Sequence, residues 1–128
     1  MDELNVSAML KLQRAFVNER KWKKFHTPKN LSMALAGEAA ELMEIFQWLS
    51  QAESKNVMKN PANSKAVAHE LVDVFYYLLR FADVLDVNLE DAFWEKMRHN
   101  RAKYPIKLAR GNAKKYDELL RLKGLNSR

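Results

Sequence analysis

Two pairs of carboxylates stand where apolar residues would be expected: Glu38 with Glu41 in GEAAELMEIFQW, and Glu70 with Asp73 in AVAHELVDVFYYLLR. On a helix, i, i+3 spacing puts both members of a pair on one face, about one turn apart. At roughly 100° per residue with Glu38 at zero, Leu31, Leu35, Leu42, Ile45 and Leu49 fall between about −20° and +60°. Glu38 therefore lies inside the apolar stripe and Glu41 at its margin, with Glu44 turned toward solvent. Glu70 repeats the placement among Val67, Val74, Tyr77, Leu78, Phe81, Val84 and Leu85, and Asp73 borders that sector. An unpaired charge on such a face costs several kcal/mol. If the two faces meet, four acids converge, and each like-charge pair at 4 Å costs about 4 kcal/mol at an effective dielectric of about 20. Such a cluster needs shared protons or a hard cation. All-oxygen ligands favour Mg²⁺, with Mn²⁺ possible, over zinc. The plainer alternative is a set of ordinary salt bridges, for instance Glu41 with Lys29 or Asp73 with Arg80. A di-iron bundle would require Glu-x-x-His on two helices, and neither pair has histidine in the fourth place.

The elements that must carry these acids are helices. Three glycines, three prolines and the lack of alternating strand patterns predict an all-α, four- to five-helix bundle. A first helix is expected over about residues 4 to 20, with Val6, Met9, Leu10, Phe16 and Val17 at helical spacing. Thr27 then caps a helix with Pro28 at its first position, running to about Ser50. Residues 51–63 read as a loop, after which Asn63 or Ser64 caps a third helix to about Leu85. Asn88 caps a fourth, with Glu90 and Asp91 favourably placed in its first turn and Pro105 as its stop. A short basic helix follows at about 112 to 122. The third helix is apolar nearly all round except for a strip of His69, Asp73, Tyr76, Arg80 and Asp83. In so short a chain this predicts packing against another subunit.

The totals narrow the class. A chain of 128 residues and 15.0 kDa suits one domain, taken as 1–128 with a core over about 4–118 and a basic tail. The absence of cysteine excludes a disulfide framework, a thiolate zinc site and a cysteine nucleophile. An acidic N-terminus and the lack of a long apolar run predict a soluble, cytoplasmic protein without membrane partners. The formal net charge of +6 is uneven: residues 1–95 hold 11 Lys/Arg against 14 Asp/Glu, whereas residues 96–128 hold 11 against 2. Such a basic segment suits phosphate, on a nucleotide or a nucleic acid, as well as it suits simple solvation.

The stretch GEAAELMEIFQW followed by HELVDVFYYLLR resembles the Glu-x-x-Glu and Glu-x-x-Asp motifs of the MazG-like, all-alpha nucleoside triphosphate pyrophosphohydrolases. Arg20-Lys21-Trp22, FHTPKNL at 25–31, Phe46-Gln47-Trp48, HNRAKYP at 99–105 and Lys115-Tyr116 continue the resemblance in order, over about residues 12 to 118. MazG itself usually opens its first motif with two acids. Gly37 replaces the first of them here, which points to the smaller, dCTP-pyrophosphatase-like branch. Gln13 stands where some relatives carry a histidine.

The resemblance implies Mg²⁺-dependent hydrolysis of a deoxynucleoside triphosphate, such as dCTP, to the monophosphate and pyrophosphate, in a homo-oligomer of two or four chains. Glu38, Glu41, Glu70 and Asp73 would be its metal ligands and catalytic acids. Lys29, Arg101, Lys103 and Tyr104 become phosphate candidates and Asn100 a sugar or base candidate, each also readable as a solvated side chain. Trp22 and Trp48 could stack on a base or simply pack. His26 and Tyr77 match the family's base-binding region, and each is also readable as structural, a satisfied histidine and a buried tyrosine. The competing functions are a non-catalytic nucleic-acid-binding protein, which lacks a helix-turn-helix signal and leaves the inward acids unexplained, and a purely structural helical oligomer.

Overall fold

The computed structural model describes residues 2–126, and among these no strand forms. The chain separates into two compact units, residues 1–87 and 88–128. The first contains α1 (Val6–Glu19), α2 (Pro28–Phe46), α3 (Gln51–Lys55) and α4 (Pro61–Val84), with short 3₁₀ turns at Lys23–Phe25 and Val57–Lys59. The second contains α5 (Leu89–Lys103), α6 (Ile106–Ala109) and α7 (Tyr116–Asn126).

Side-chain caps set the starts. The carboxamide oxygen of Asn5 accepts from the Ala8 amide at 3.0 Å, Thr27 accepts from the Asn30 amide at 3.3 Å, and Asn88 accepts from the Asp91 amide at 3.1 Å. Each satisfies an amide that has no partner within its helix. α1 and α4 end alike. Lys21 and Asp86 both adopt φ of 54°, and each is followed by a residue whose amide reaches back to a last-turn carbonyl, Trp22 to Val17 at 3.0 Å and Val87 to Ala82 at 2.9 Å. With the Lys21–Asn18 and Asp86–Asp83 bonds, these are complete Schellman turns. The first of them delivers the chain directly into Trp22.

In the second unit the last helix runs over Tyr116–Asn126 rather than about 112 to 122, and in the first unit two boundaries differ from the sequence expectation. α2 stops at Phe46 rather than near Ser50, because Ser50 begins a new helix. Its hydroxyl accepts from the Glu53 amide while the Glu53 carboxylate accepts from the Ser50 amide, both at 3.1 Å. This reciprocal capping box nucleates α3 inside the stretch expected to be loop. α4 likewise starts early: Asn60, not Asn63 or Ser64, is its cap, accepting from the Ala62 amide at 3.0 Å, and Pro61 takes the first position.

Within the first unit α2 packs chiefly against α4, and α1 also contacts α4. The core is made by Val17 of α1, Leu31 of α2, Val57 of the 3₁₀ turn, and Val67, Leu79 and Ala82 of α4, all buried. Gln13 is buried with them and donates from Nε2 to the Tyr76 carbonyl at 2.8 Å, tying α1 to the middle of α4. Leu71, Val72 and Leu78 of α4, and Leu85 just past its end, remain exposed despite their apolar character. In the second unit α6 packs against α7, and Leu119 is buried.

Candidate active site

The α2–α4 packing brings three of the four acids together. Glu38, Glu41 and Glu70 each offer a carboxylate oxygen, and these oxygens lie within 4.8 Å of one another. Asp73 is exposed one turn beyond Glu70 and is not part of that trio, though its charge reaches Glu38. Neither alternative salt bridge forms. Arg80 pairs with Asp83 instead of Asp73, and none of the four acids is ion-paired among the described residues. One oxygen of Glu38 and one of Glu70 are buried without any hydrogen-bond partner. Buried acceptors rarely stay unmatched, so the pocket has capacity for a group that is not part of the chain. A hard divalent cation fits this donor set of converging, partnerless carboxylate oxygens.

Glu38 records the crowding most strongly. Desolvation comes first, followed by the neighbouring Glu41 carboxyl, the Asp73 charge and the Glu70 carboxyl, and together they push its pKa up to about 7. A carboxyl that binds its proton more tightly folded than unfolded contributes stability below the unfolded pKa and loses it as pH rises through the folded value. In the presence of chelator, this group is therefore expected to lower the melting temperature between pH 5 and pH 8. Asp83 acts in the opposite sense: the bonded Arg14 guanidinium holds its carboxyl low, so its contribution is lost only at more acid pH. Melts of wild type and Glu38→Gln check this, since an unchanged pH slope in the variant would place the effect elsewhere.

One nucleotide candidate of the first unit, His26, joins a second polar centre. The Arg80 side chain is 7% exposed, and its Nε donates to His26 Nδ1 at 3.0 Å. Its η1 nitrogen donates to Asp83 at 3.3 Å, and Asp83 is gripped from α1 by two nitrogens of Arg14. Burial, then the Arg80 charge, hold the His26 ring below the usual histidine range. The Trp22 ring packs edge-on against Phe16 at 5.7 Å, and Arg20 covers Phe16. Tyr77, one turn along from Asp73, is half-buried and meets Tyr76 edge-on at 5.3 Å. Trp48 is 87% exposed, so packing within the chain does not account for it. Lys29 is exposed with no ion pair among the described residues.

The remaining candidates lie at the C-terminal end of α5 in the second unit. Lys103 Nζ stands 5.1 Å from the centre of the Tyr116 ring, and Tyr104 meets the same ring edge-on at 6.4 Å. Asn100 is half-buried and its carbonyl accepts from the Tyr104 amide, while Arg101 is exposed. Sequence reasoning placed Arg80 and Asp83 in the polar strip of α4, offering Arg80 only a salt bridge to Asp73 and Asp83 no role. The only available signal was that a long basic side chain and an acid shared an otherwise apolar helix.

Residues 34–119 match the MazG-like family. The chain is 44% identical over 111 residues to dCTP pyrophosphatase 1 of Rattus norvegicus, covering 87% of this chain and 65% of the rat protein. It is 42% identical over 109 residues to dCTP pyrophosphatase 1 of Homo sapiens, covering 85% and 64%. It thus spans just under two thirds of the length of these curated relatives. The crystal structure of a pyrophosphatase from Archaeoglobus fulgidus superposes with a TM-score of 0.74 at 39% identity, covering 82% of this chain and 96% of that one. With all-helical architecture, paired acids on two packed helices and a match over most of its length, the chain belongs to the MazG-like family.

Proposed function

We propose that this protein hydrolyses deoxynucleoside triphosphates, dCTP or related compounds, between the α and β phosphates to give the monophosphate and pyrophosphate, with Mg²⁺ as cofactor. The observation that carries the reading is the trio of Glu38, Glu41 and Glu70, with oxygens within 4.8 Å and no cationic partner among the described residues. The relatives named dCTP pyrophosphatase 1 and the archaeal pyrophosphatase support the same chemistry. Glu38, Glu41 and Glu70 would hold the ion, with Asp73 as a further ligand. Bound there, a divalent cation neutralises triphosphate charge and acidifies a water.

The chain's own residues do the rest. Glu38 or Glu41 accepts the proton of the attacking water. Trp22, Trp48 and Tyr77 offer ring faces or edges to a base, and His26 offers a ring nitrogen. Lys29 supplies charge for phosphate oxygens. Roles for Asn100, Arg101, Lys103 and Tyr104 rest on the HNRAKYP resemblance. We assign the exposed Leu71, Val72 and Leu78 of α4, with Leu85 at its end, to contact with a second copy of the chain.

A panel of the eight common nucleoside triphosphates, with products resolved by chromatography with and without Mg²⁺, tests the function. Monophosphate and pyrophosphate should appear with a deoxynucleotide and only when Mg²⁺ is present. Inertness across the panel would reject the reading.

A further inference from the structure

We propose that Arg80 is a positioning residue: by donating to Nδ1 it fixes His26 as the neutral tautomer protonated at Nε2, so the ring meets the nucleotide as one directed, uncharged donor. The inference rests on the functional reading only in placing His26 beside the nucleotide. The tautomer itself follows from contacts within the chain.

A guanidinium has five N–H donors, no acceptor, and stays protonated in proteins. An Arg80 Nε at 3.0 Å from His26 Nδ1 therefore requires a lone pair on that nitrogen. The proton of the neutral ring then sits on Nε2. Charging the ring would put a proton on Nδ1, break this bond and set two cations against each other beside a largely buried side chain. Arg80 is itself immobilised. Asp83, 14% exposed, takes its η1 nitrogen at 3.3 Å and is anchored from α1 by Arg14. Of the charged groups, Arg80 bonds the ring directly and opposes its protonation, while Arg14 and Lys23 act on Asp83 behind it. His26 Nε2 has no hydrogen-bond partner among the described residues.

An imidazolium would serve as a phosphate ligand, attracted by the whole triphosphate. A neutral Nε2–H instead seeks a single acceptor, such as a carbonyl or ring nitrogen of the base, and its contribution is directional. Arg80 would then act on recognition through His26 without touching substrate. Its loss should raise KM with little change in kcat.

Two-bond nitrogen–proton correlation spectra of the imidazoles test the tautomer in the wild-type protein. His26 is assigned against His26→Gln and separated from His69 and His99. The proposal expects a single Nε2–H tautomer that stays neutral at pH 6, where ordinary histidines are largely charged, and whose Nε2–H signal moves on adding dCTP with Mg²⁺. In Arg80→Met the ring should show mixed tautomers and titrate normally, and KM for dCTP should rise about tenfold. Arg80→Lys, which keeps the charge but lacks the planar Nε–H, should behave like Arg80→Met. In a His26→Gln background, Arg80→Met should leave KM unchanged. Mixed tautomers or a charged ring at pH 6 in wild type would overturn the proposal without variant data. A fixed tautomer with no response to dCTP, in an enzyme that turns dCTP over, would overturn the recognition role while leaving the functional reading intact. Absence of turnover across the triphosphate panel removes that reading, and the nucleotide role of Arg80 with it.

Discussion

Replacing Glu38 by glutamine is expected to reduce triphosphate turnover by about 10³-fold or more, roughly 4 kcal/mol of transition-state stabilisation, while making the chelated protein more stable. The substitution keeps side-chain shape and removes one charge from the centre of the acid cluster. Activity falls because Glu38 shares its pocket with Glu41 and Glu70, and the amide would withdraw one anionic ligand from the cation held there. Stability rises because the same crowding strains the folded state. A neutral amide ends its repulsion with Glu41 and Asp73, for a gain on the order of 1–2 kcal/mol near pH 8 once solvent screening is allowed for. Steady-state assays with dCTP and thermal melts in chelator read the two effects. Turnover within tenfold of wild type would remove Glu38 from the reaction. A fall in melting temperature in chelator would mean that its carboxyl is structurally favourable.

Asp83→Ala should be the most damaging single change to stability in the first unit outside the apolar core. It leaves the Arg80 guanidinium, 7% exposed, without its counterion. Breaking a buried pair on one side costs about 3–5 kcal/mol, because the remaining charge has no solvent to return to. In a chain of this size that corresponds to a fall of roughly 10 °C or more in melting temperature. Arg14→Met is the control, since Arg14 contacts the same carboxylate from an exposed position where screening weakens the pair. It should cost a small fraction as much. Equal losses in thermal melts of the two variants would show that the Arg14 contact, rather than neutralisation of Arg80, is what matters.

The sequence made much of this legible, for identifiable reasons. Thr27-Pro28 and Asn88 announce α2 and α5 because capping is local chemistry, and the structure shows both caps. The inward acids were visible because a carboxylate at a core angle breaks the helical period. The capping box at Ser50 was hidden by Leu49 and the apolar run before it, which suggested continuity where a reciprocal side-chain bond imposes a break. Asn60-Pro61 reads as loop punctuation or as a helix start with equal ease, and only the fold decides. Arg80 was the harder case. Its expected partner, Asp73, sits seven positions away on the same helix, whereas its actual contacts are Asp83 three positions on and His26 at a separation of 54. No periodicity within α4 could point to a residue that arrives from the turn after α1. Asp73 separates from the other acids for a similar reason: i, i+3 spacing fixes a shared face but not the reach of each side chain across the α2–α4 seam.

The leucines along α4 have a bearing on how the protein behaves in a cell. Leu71, Leu78 and Leu85 recur every seven residues, so their side chains drift only slowly around the helix. The same helix carries Glu70, Asp73, Tyr77 and Arg80. If a twin chain covers that seam, mass action ties the melting point and the integrity of the acid pocket to protomer abundance. Scarcity would then act as a denaturant, and expression level would set both how much protein is present and how much of it is intact.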